Sequence, residues 1–444
     1  VFKMNSLGFD LAELSRPDQI IRIPAELDVP ITARVRAILD TQPMQRLRGI
    51  SQLGLVSCVY PGAVHSRFEH SLGVYRLACQ VLRHLVQTEP DVADRLSESQ
   101  VKVFLLAALL HDIGHWPYCH PIEDMRLVEA PRHEQVARHW LMAEPLASLI
   151  KQQWDVSPEA VAGFLSVRSD QHSIRLLQNI LNGPVDIDKM DYLQRDSLHA
   201  GVPYGRNFDA ARLLNSFRFG DSTVMTVTSK GKTAAEMMVF SRYVMFSEVY
   251  WHHSVRSATA MLQRIVYRLR DDLPSSAWYD MSDAQFQQAV LEATAQRLEL
   301  QPLAQALFGR QRQLYKRFAQ YNFSTSPEAH AALAHRPFES LVTCAQRFSH
   351  ALSERCGVPI GPDDLLIDAP PMKLEIQFHL DILSDGQLKP LASVSPVVRA
   401  LATEQFDRFV KQVRVFVTPG LRQQLSINDQ QVKELLLQSA SAVD

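Results

Sequence analysis

An unbroken apolar run that ends in titratable residues constrains this chain more than any other feature. Val103 to Leu110 reads VFLLAALL, and the ten residues after it, HDIGHWPYCH, put His111, Asp112, His115 and His120 at its end. A helix that is apolar all round has no solvent face, so it must run through the middle of a core. Gly114 and Pro117 mark its stop. The unpaired carbonyls of a helix C-terminus carry partial negative charge and favour a cation beside them. An unpaired carboxylate at the rim of a dry core is costly, so Asp112 needs a partner, and a bound metal ion would be one. Neighbouring residues on a helix point about 100° apart, so His111 and Asp112 need further ligands from elsewhere in the chain.

Two other segments offer them. HSRFEHSLG opens a helix in which Phe68, Leu72, Tyr75, Cys79, Leu82 and Val86 recur at spacings of four and three. His70 lies on another row, ahead of Val74, Leu77 and Val81, again at a core rim. Further on, VDIDKMDYLQRDSLHAG predicts a helix with Asp188, Tyr192 and Arg195 on one face, flanked by Lys189 and Asp196. His70, His111, Asp112 and Asp188 together give two imidazoles and two carboxylates on three helices. That mixture suits Mn, Fe, Zn or Mg, with positions left for water and phosphate oxygen. Any one of these histidines has a plainer reading as a hydrogen-bonded core residue. Packing alone does not account for the set.

Other chemistry is poorly served. HEQVARH begins like a zincin helix, but Ala137 stands where the second histidine is needed. There is no Walker A or GxGxxG pattern to grip phosphate through a glycine loop. A net charge of -2 gives no global sign of a nucleic-acid or membrane partner. The basic run GRQRQLYKR (309–317) reads first as a solvated helix face, and second as a nucleic-acid or effector contact. Five scattered cysteines, never spaced CxxC, fit a reducing compartment. With no apolar run approaching about 20 residues and no signal-peptide pattern at the start, the expected location is cytoplasmic, with no membrane partner.

The remaining pattern predicts a mainly α protein with a small C-terminal α/β appendage. Residues 1–30 should be extended or irregular, 31–272 a helical catalytic domain, and 273–444 a helical region with a small α/β part. Within these, Ile31 to Leu53 reads as two short helices broken near Pro43 and stopped at Gly54. Single helical stretches are expected near 158–182 and from Ala234 to Asp272, and helical sequence continues to about Ser353. LLIDAP (365–370), KLEIQFHLDIL (373–383) and VRVFVTP near 413 read as strands.

HSRFEHSLG, HDIGHWPYCH, HEQ and DIDKMDYLQRD, in this order, resemble the signatures of HD-domain phosphohydrolases. More closely they are similar to the deoxynucleoside triphosphate (dNTP) triphosphohydrolases related to the SAM-and-HD-domain protein, with PMQRLRGISQLG and VYWHH as further matches. The resemblance runs from about Asp40 to Arg256. It implies an HD-domain helical core with one metal on His70, His111, Asp112 and Asp188. The implied reaction is hydrolysis of a dNTP to deoxynucleoside and tripolyphosphate. His115, His120, Glu123 and His133 would be the acid/base group, with Glu123 orienting His120. Arg67, Lys189, Tyr192 and Arg242 match phosphate contacts. Gln52 and Asp196 would meet the 3′-hydroxyl, Leu53 would close the pocket at C2′, and Tyr250 would pack on sugar or base.

Relatives of this kind are dimers or tetramers, so a homo-oligomer is implied. The family's Asp-Pro-x-His-Gly motif is replaced by RIPAELDVPITARV, while Asp40 and Arg48 keep part of the activator pattern, which leaves a nucleotide activator open. Phe246 stands where the best-known relative has a histidine near the substrate. Two alternatives stay beside the main reading. One is an HD-type phosphohydrolase or phosphodiesterase acting on another nucleotide. The other is a nucleotide-sensing or nucleic-acid-binding protein with weak hydrolysis.

Overall fold

The computed structural model describes residues 9–441, apart from 129, 220–224, 273–274, 372–379, 385 and 402–409. The chain is mainly α. A single helical turn, Ala12–Ser15, comes first, and a hairpin of β1 (Gln19–Ile23) and β2 (Leu27–Ile31) follows, so the opening segment is partly helical and its extended part is paired. Helices α1 (Ala33–Leu39) and α2 (Gln42–Arg46) follow. Pro43 lies in the first turn of α2, where its missing N–H costs nothing, so it starts that helix instead of breaking one. Gly54, at φ +51°, opens the short 3-10 turn Gly54–Cys58 and stops no helix.

The centre is built by α3 (Arg67–Thr88) and α4 (Glu98–Leu110). Ser66 caps α3 by accepting the Glu69 N–H, and Ser97 with Gln100 forms a reciprocal capping box on α4. All of α4 from Val101 to Leu110 is buried, as its composition requires. Around it lie α5 (Cys119–Glu123), α6 (His133–Met142), α7 (Pro158–Ser166), α8 (His172–Asn182) and α9 (Ile187–Ala200). The stretch 158–182 is thus two helices. Gly201 ends α9 in the left-handed region at φ +70°.

The region from 234 to 272 is also divided. α10 (Lys232–Met245) runs into a π-helical turn, Phe246–Tyr250, and an extended His252 then caps α11 (His253–Leu269). Next come α12 (Asp283–Thr294), α13 (Phe338–Cys356) and, at the end, α14 (Asp429–Ser441).

Two small sheets complete the fold, and one of them joins residues 217–228 to the C-terminal part. β3 (Phe217–Arg218), β4 (Thr226–Thr228), β7 (Asp381–Ser384) and β8 (Gln387–Pro390) pair in the order β3-β4-β7-β8, with β4 and β7 parallel. Most of KLEIQFHLDIL, residues 373–379, lies outside the described residues. β5 (Lys316–Tyr321), β6 (Leu365–Asp368) and β9 (Val413–Val417) pair antiparallel in the order β5-β9-β6. β5 corrects the helix-face reading of 309–317. Residues 311–315 carry no regular structure and Lys316 and Arg317 begin the strand. The run's apolar residues, Leu314 and Tyr315, are adjacent, so it has no helical stripe to bury.

β9 is buried at all five positions. Leu366 and Phe416 face the main core, whereas Leu365, Ile367, Val415 and Val417 face a second core with Phe348, Leu352 and Leu436. The strand period of two therefore puts one sheet between two cores. Among the described residues no helix is long and apolar enough to cross a membrane.

Candidate metal centre and active site

The ends of α3, α4 and α9 bring four groups to one point. His70 is in the first turn of α3, His111 and Asp112 follow α4 directly, and Asp188 is in the first turn of α9. His70 Nδ1 lies 2.8 Å from Asp191 Oδ2, and His111 Nδ1 lies 3.0 Å from the Ala108 carbonyl. Each Nδ1–H therefore donates, which leaves both Nε2 lone pairs facing inward. The two Nε2 atoms are 3.2 Å apart. Asp188 Oδ1 is 3.0 Å from His70 Nε2 and 3.8 Å from His111 Nε2, and Asp112 Oδ1 is 3.4 Å from His111 Nε2. The ligand atoms of His70, His111 and Asp112 lie within 4.8 Å of one another and Asp188 Oδ1 approaches both imidazoles, a donor set that fits a divalent ion of hard or borderline character.

Burial opposes charge on His70, but the Asp188 and Asp191 hydrogen bonds outweigh it and push its pKa up to about 10. Burial also raises the Asp112 carboxyl, yet the surrounding imidazoles and Arg67 hold it well below the ordinary carboxylate range. Arg67 Nη1 donates to Asp112 Oδ2 at 2.8 Å.

Asp191 is fixed from behind. Arg195 donates to it through Nε and Nη2, at 2.8 and 2.7 Å, and through Nη1 to Glu69 at 2.6 Å. Gly73 makes room for this pair, since a Cβ there would stand 1.9 Å from Asp191 Oδ1 and 2.4 Å from Arg195 Nη2. Arg195 thus departs from the face expected for it. The row that lines the cavity is Asp188, Tyr192 and Asp196, at helical spacings of four.

Next to the metal-type cluster are three histidines. His115 Nε2 is 3.1 Å from His120 Nε2, and the His115 and His133 rings are 4.3 Å apart. Burial and the Arg67 charge hold His115 well below the ordinary histidine value. Glu123 sits behind them. It accepts the His133 backbone N–H at 2.6 Å and meets His133 Nδ1 at 3.0 Å, but lies 3.7 Å from His120 Nδ1. Its main partner is therefore His133, not the His120 expected from the three-residue spacing. Burial raises the Glu123 carboxyl, and the hydrogen-bonded His133 with the nearby His120 brings it far below its usual range. Arg46 secures the loop by donating to the His115 and Ile113 carbonyls, both at 2.7 Å.

A cavity of about 540 Å³ joins these clusters to Gln52, Leu53, Arg67, Tyr192, Asp196 and Tyr250. Lys189 and Arg242 are not among its lining residues. Lys189 Nζ turns to Asp186 at 2.5 Å and the Gly183 carbonyl at 3.1 Å, and the buried Arg242 guanidinium lies 5.7 Å from the Phe246 ring. The π turn puts Phe246 and Tyr250 on the same wall, edge to face at 5.0 Å. Tyr250 donates its hydroxyl to Asp196 Oδ2 at 2.6 Å, and His65 Nε2 is 3.0 Å from Asp196 Oδ1.

Four residues of this region have no role in the sequence reading. Asp191 and His65 support others, and their signal lies in their motifs, DIDKMDY and HSRFEH. Glu134 lines the cavity 3.6 Å from His133 Nε2, where the sequence showed it only within a failed zincin pattern. Asp283, at the start of α12, accepts the Ser51 N–H at 2.9 Å. Burial pushes its pKa up to about 6 against the pull of that bond and Arg67.

Comparison with known proteins assigns the helices that carry these residues to a known domain. The HD domain model matches residues 67–196, and the model of the HD-associated region matches residues 208–441. The uncharacterized protein YwfO of Bacillus subtilis is 33% identical over 233 residues, which is 52% of this chain and 51% of that protein. The uncharacterized protein MJ1154 of Methanocaldococcus jannaschii is 28% identical over 387 residues, 86% of this chain and 76% of that protein. Bovine deoxynucleoside triphosphate triphosphohydrolase SAMHD1 is 32% identical over 231 residues, 45% of this chain and 38% of that protein. The chain therefore spans about half the length of the Bacillus relative and less of the bovine one. A solved structure of a hypothetical protein from Aquifex aeolicus shares the fold at TM-score 0.68 and 24% identity, covering 94% of this chain and 99% of that one. A phosphohydrolase from Bacteroides thetaiotaomicron does so at 0.66 and 20%, covering 90% and 99%. With one family model matching the motif-bearing helices and the other more than half of the 444 residues, the chain belongs to the HD-domain phosphohydrolase family, as a relative of SAMHD1 that carries the HD-associated region.

Proposed function

We propose that this chain hydrolyses deoxynucleoside triphosphates to deoxynucleoside and tripolyphosphate. The observation that carries the reading is the cavity itself, which joins the His70, His111, Asp112 and Asp188 cluster to the Asp196 and Tyr250 corner. The first suits phosphate chemistry and the second suits a sugar hydroxyl. The SAMHD1 relatives are, by name, enzymes of this reaction.

His70, His111, Asp112 and Asp188 would hold the ion, of which Mn, Fe, Zn and Mg all suit the donor set. When bound, such an ion supplies Lewis acidity and makes water more acidic. Water attacks the α-phosphorus, the bond from phosphorus to the 5′ oxygen breaks, and that oxygen takes a proton. His120, half exposed beside the buried His115, is the donor in this reading. Glu123 holds His133, and through it the histidine stack. Arg67, whose Nε is buried without a partner among the described residues, faces the triphosphate charge. Tyr192 takes a phosphate oxygen. Lys189 acts on Asp186, and Arg242 supports Phe246, each one layer behind the wall. Gln52 and Asp196 take the 3′-hydroxyl, Leu53 closes on C2′, and Tyr250 and Phe246 flank sugar and base. A homo-oligomer and a nucleotide activator belong to the same proposal. Light scattering with and without added nucleotide tests both.

Metal content is measured first. Each dNTP and NTP is then incubated with Mn or Mg and the phosphorus product identified. Tripolyphosphate from dNTPs is expected. Pyrophosphate with monophosphate, or no turnover of any dNTP, overturns the reading.

A further inference from the structure

His65 is buried, has no place in the chemistry above, and yet holds two of the residues assigned to the sugar. Its side chain is 0% exposed, and Nε2 stands 3.0 Å from Asp196 Oδ1. A carboxylate can only accept, so Nε2 carries the hydrogen and donates. The backbone carbonyl of His65 accepts the Gln52 N–H at 2.9 Å. One residue thus anchors Asp196 through its ring and Gln52 through its main chain.

The ring itself cannot turn freely. It stacks on His199, with centroids 4.4 Å apart and planes 17° from parallel. His199 Nε2 is held 2.9 Å from Glu69 Oε1. Asp196 is consequently gripped at both oxygens, Oδ1 by His65 and Oδ2 by the Tyr250 hydroxyl. Carboxylate torsions are otherwise broad. With both donors in place, the remaining lone pairs keep one direction, and Asp196 lines the cavity.

We propose that His65 is a positioning residue that orients the Asp196 carboxylate to accept a hydroxyl of the substrate's sugar, and so sets how strictly the site demands that hydroxyl. The inference rests on the reading of Asp196 given above. A site built to accept a hydroxyl rejects analogues that lack it far better than an apolar pocket rejects a missing methylene. Loss of orientation should therefore cost the hydroxyl-bearing substrate and spare the discrimination-blind part of binding.

The test compares a dNTP with the matching 2′,3′-dideoxynucleoside triphosphate, in the full chain, as a ratio of kcat/KM. Wild type is expected to favour the dNTP by at least about tenfold. His65→Phe keeps a stacking ring and loses the donor, so the ratio should collapse toward unity, mainly through the dNTP, with metal content retained. His65→Gln, which can donate again, should recover part of the ratio. His65→Met gives the same loss of donor if the phenylalanine variant does not fold. A ratio that survives donor loss overturns the proposal, as does an equal fall on both substrates or loss of metal, which would mark a structural role. Wild type that treats the two substrates alike, or turns over neither, overturns the reading of the pocket and this inference with it.

Discussion

Asp191 Oδ2 lies 2.8 Å from His70 Nδ1, so the orientation of one imidazole of the proposed ion site is decided by a carboxylate that does not face the cavity. Such outer partners fix the tautomer and raise the basicity of the ligand, and their loss costs roughly 10–100-fold in metal affinity. Asp191→Asn should therefore weaken metal binding by about that factor, measured by competition with a chelator. Turnover should fall in parallel and return in excess metal. Unchanged affinity would remove Asp191 from this role.

Gly73 offers a test that replaces no polar side chain. Its added Cβ in Gly73→Ala would meet Asp191 Oδ1 at 1.9 Å, and that atom is locked in a bidentate pair with Arg195. Overpacking of this kind costs typically about 1–3 kcal/mol. A lower Tm with weakened metal retention is expected; a variant normal in both would mean that the pair yields easily.

Arg46 donates to two carbonyls of the loop that carries Asp112 and His115. Replacement by methionine leaves both carbonyls buried without their charged donor, on the order of 3 kcal/mol. Arg46→Met should unfold at lower denaturant and, on the proposed roles of Asp112, His115 and His120, lose kcat more than it raises KM. Wild-type kcat in a folded variant would count against this.

Asp283 predicts a pH dependence. Its folded pKa of about 6 lies above the ordinary carboxyl value, so the folded state holds the proton more tightly than the unfolded chain. That contribution to stability is present at low pH and is lost as pH rises from about 4 through 6. Asp283→Asn does not titrate and can still accept the Ser51 N–H. Its stability relative to wild type should increase across this window and level off above it, by about 1–3 kcal/mol. Denaturant melts at pH 4, 5, 6 and 7.5 check the sign, and a constant difference would refute it.

Convergence of the four presumed ligands was legible because each sits at the end of a strongly patterned helix. A helix end is where a short motif and the core boundary coincide. Lys189, Arg242 and Arg195 were less legible for a physical reason. Their side chains are long, and buried partners distant in sequence or on the next row of the helix decide where they point. Glu123 shows the same limit at short range, since its spacing suggested His120 and its carboxylate found His133. The π turn at 246–250 and the strand at 316–321 carry no periodic signal of their own. They exist through neighbours that supply packing and backbone partners.

The bond from Tyr250 to Asp196 has a meaning for inheritance. Asp196 is the last residue of the stretch that matches the HD domain, and Tyr250 belongs to the stretch that matches the HD-associated region. Every presumed ion-binding residue lies in the first stretch. On the proposed reading, a descendant that kept the first and lost the second would keep the four ion-binding residues and lose the hydroxyl that holds Asp196. Specificity, on that reading, depends on both stretches at once, which predicts that they are inherited together.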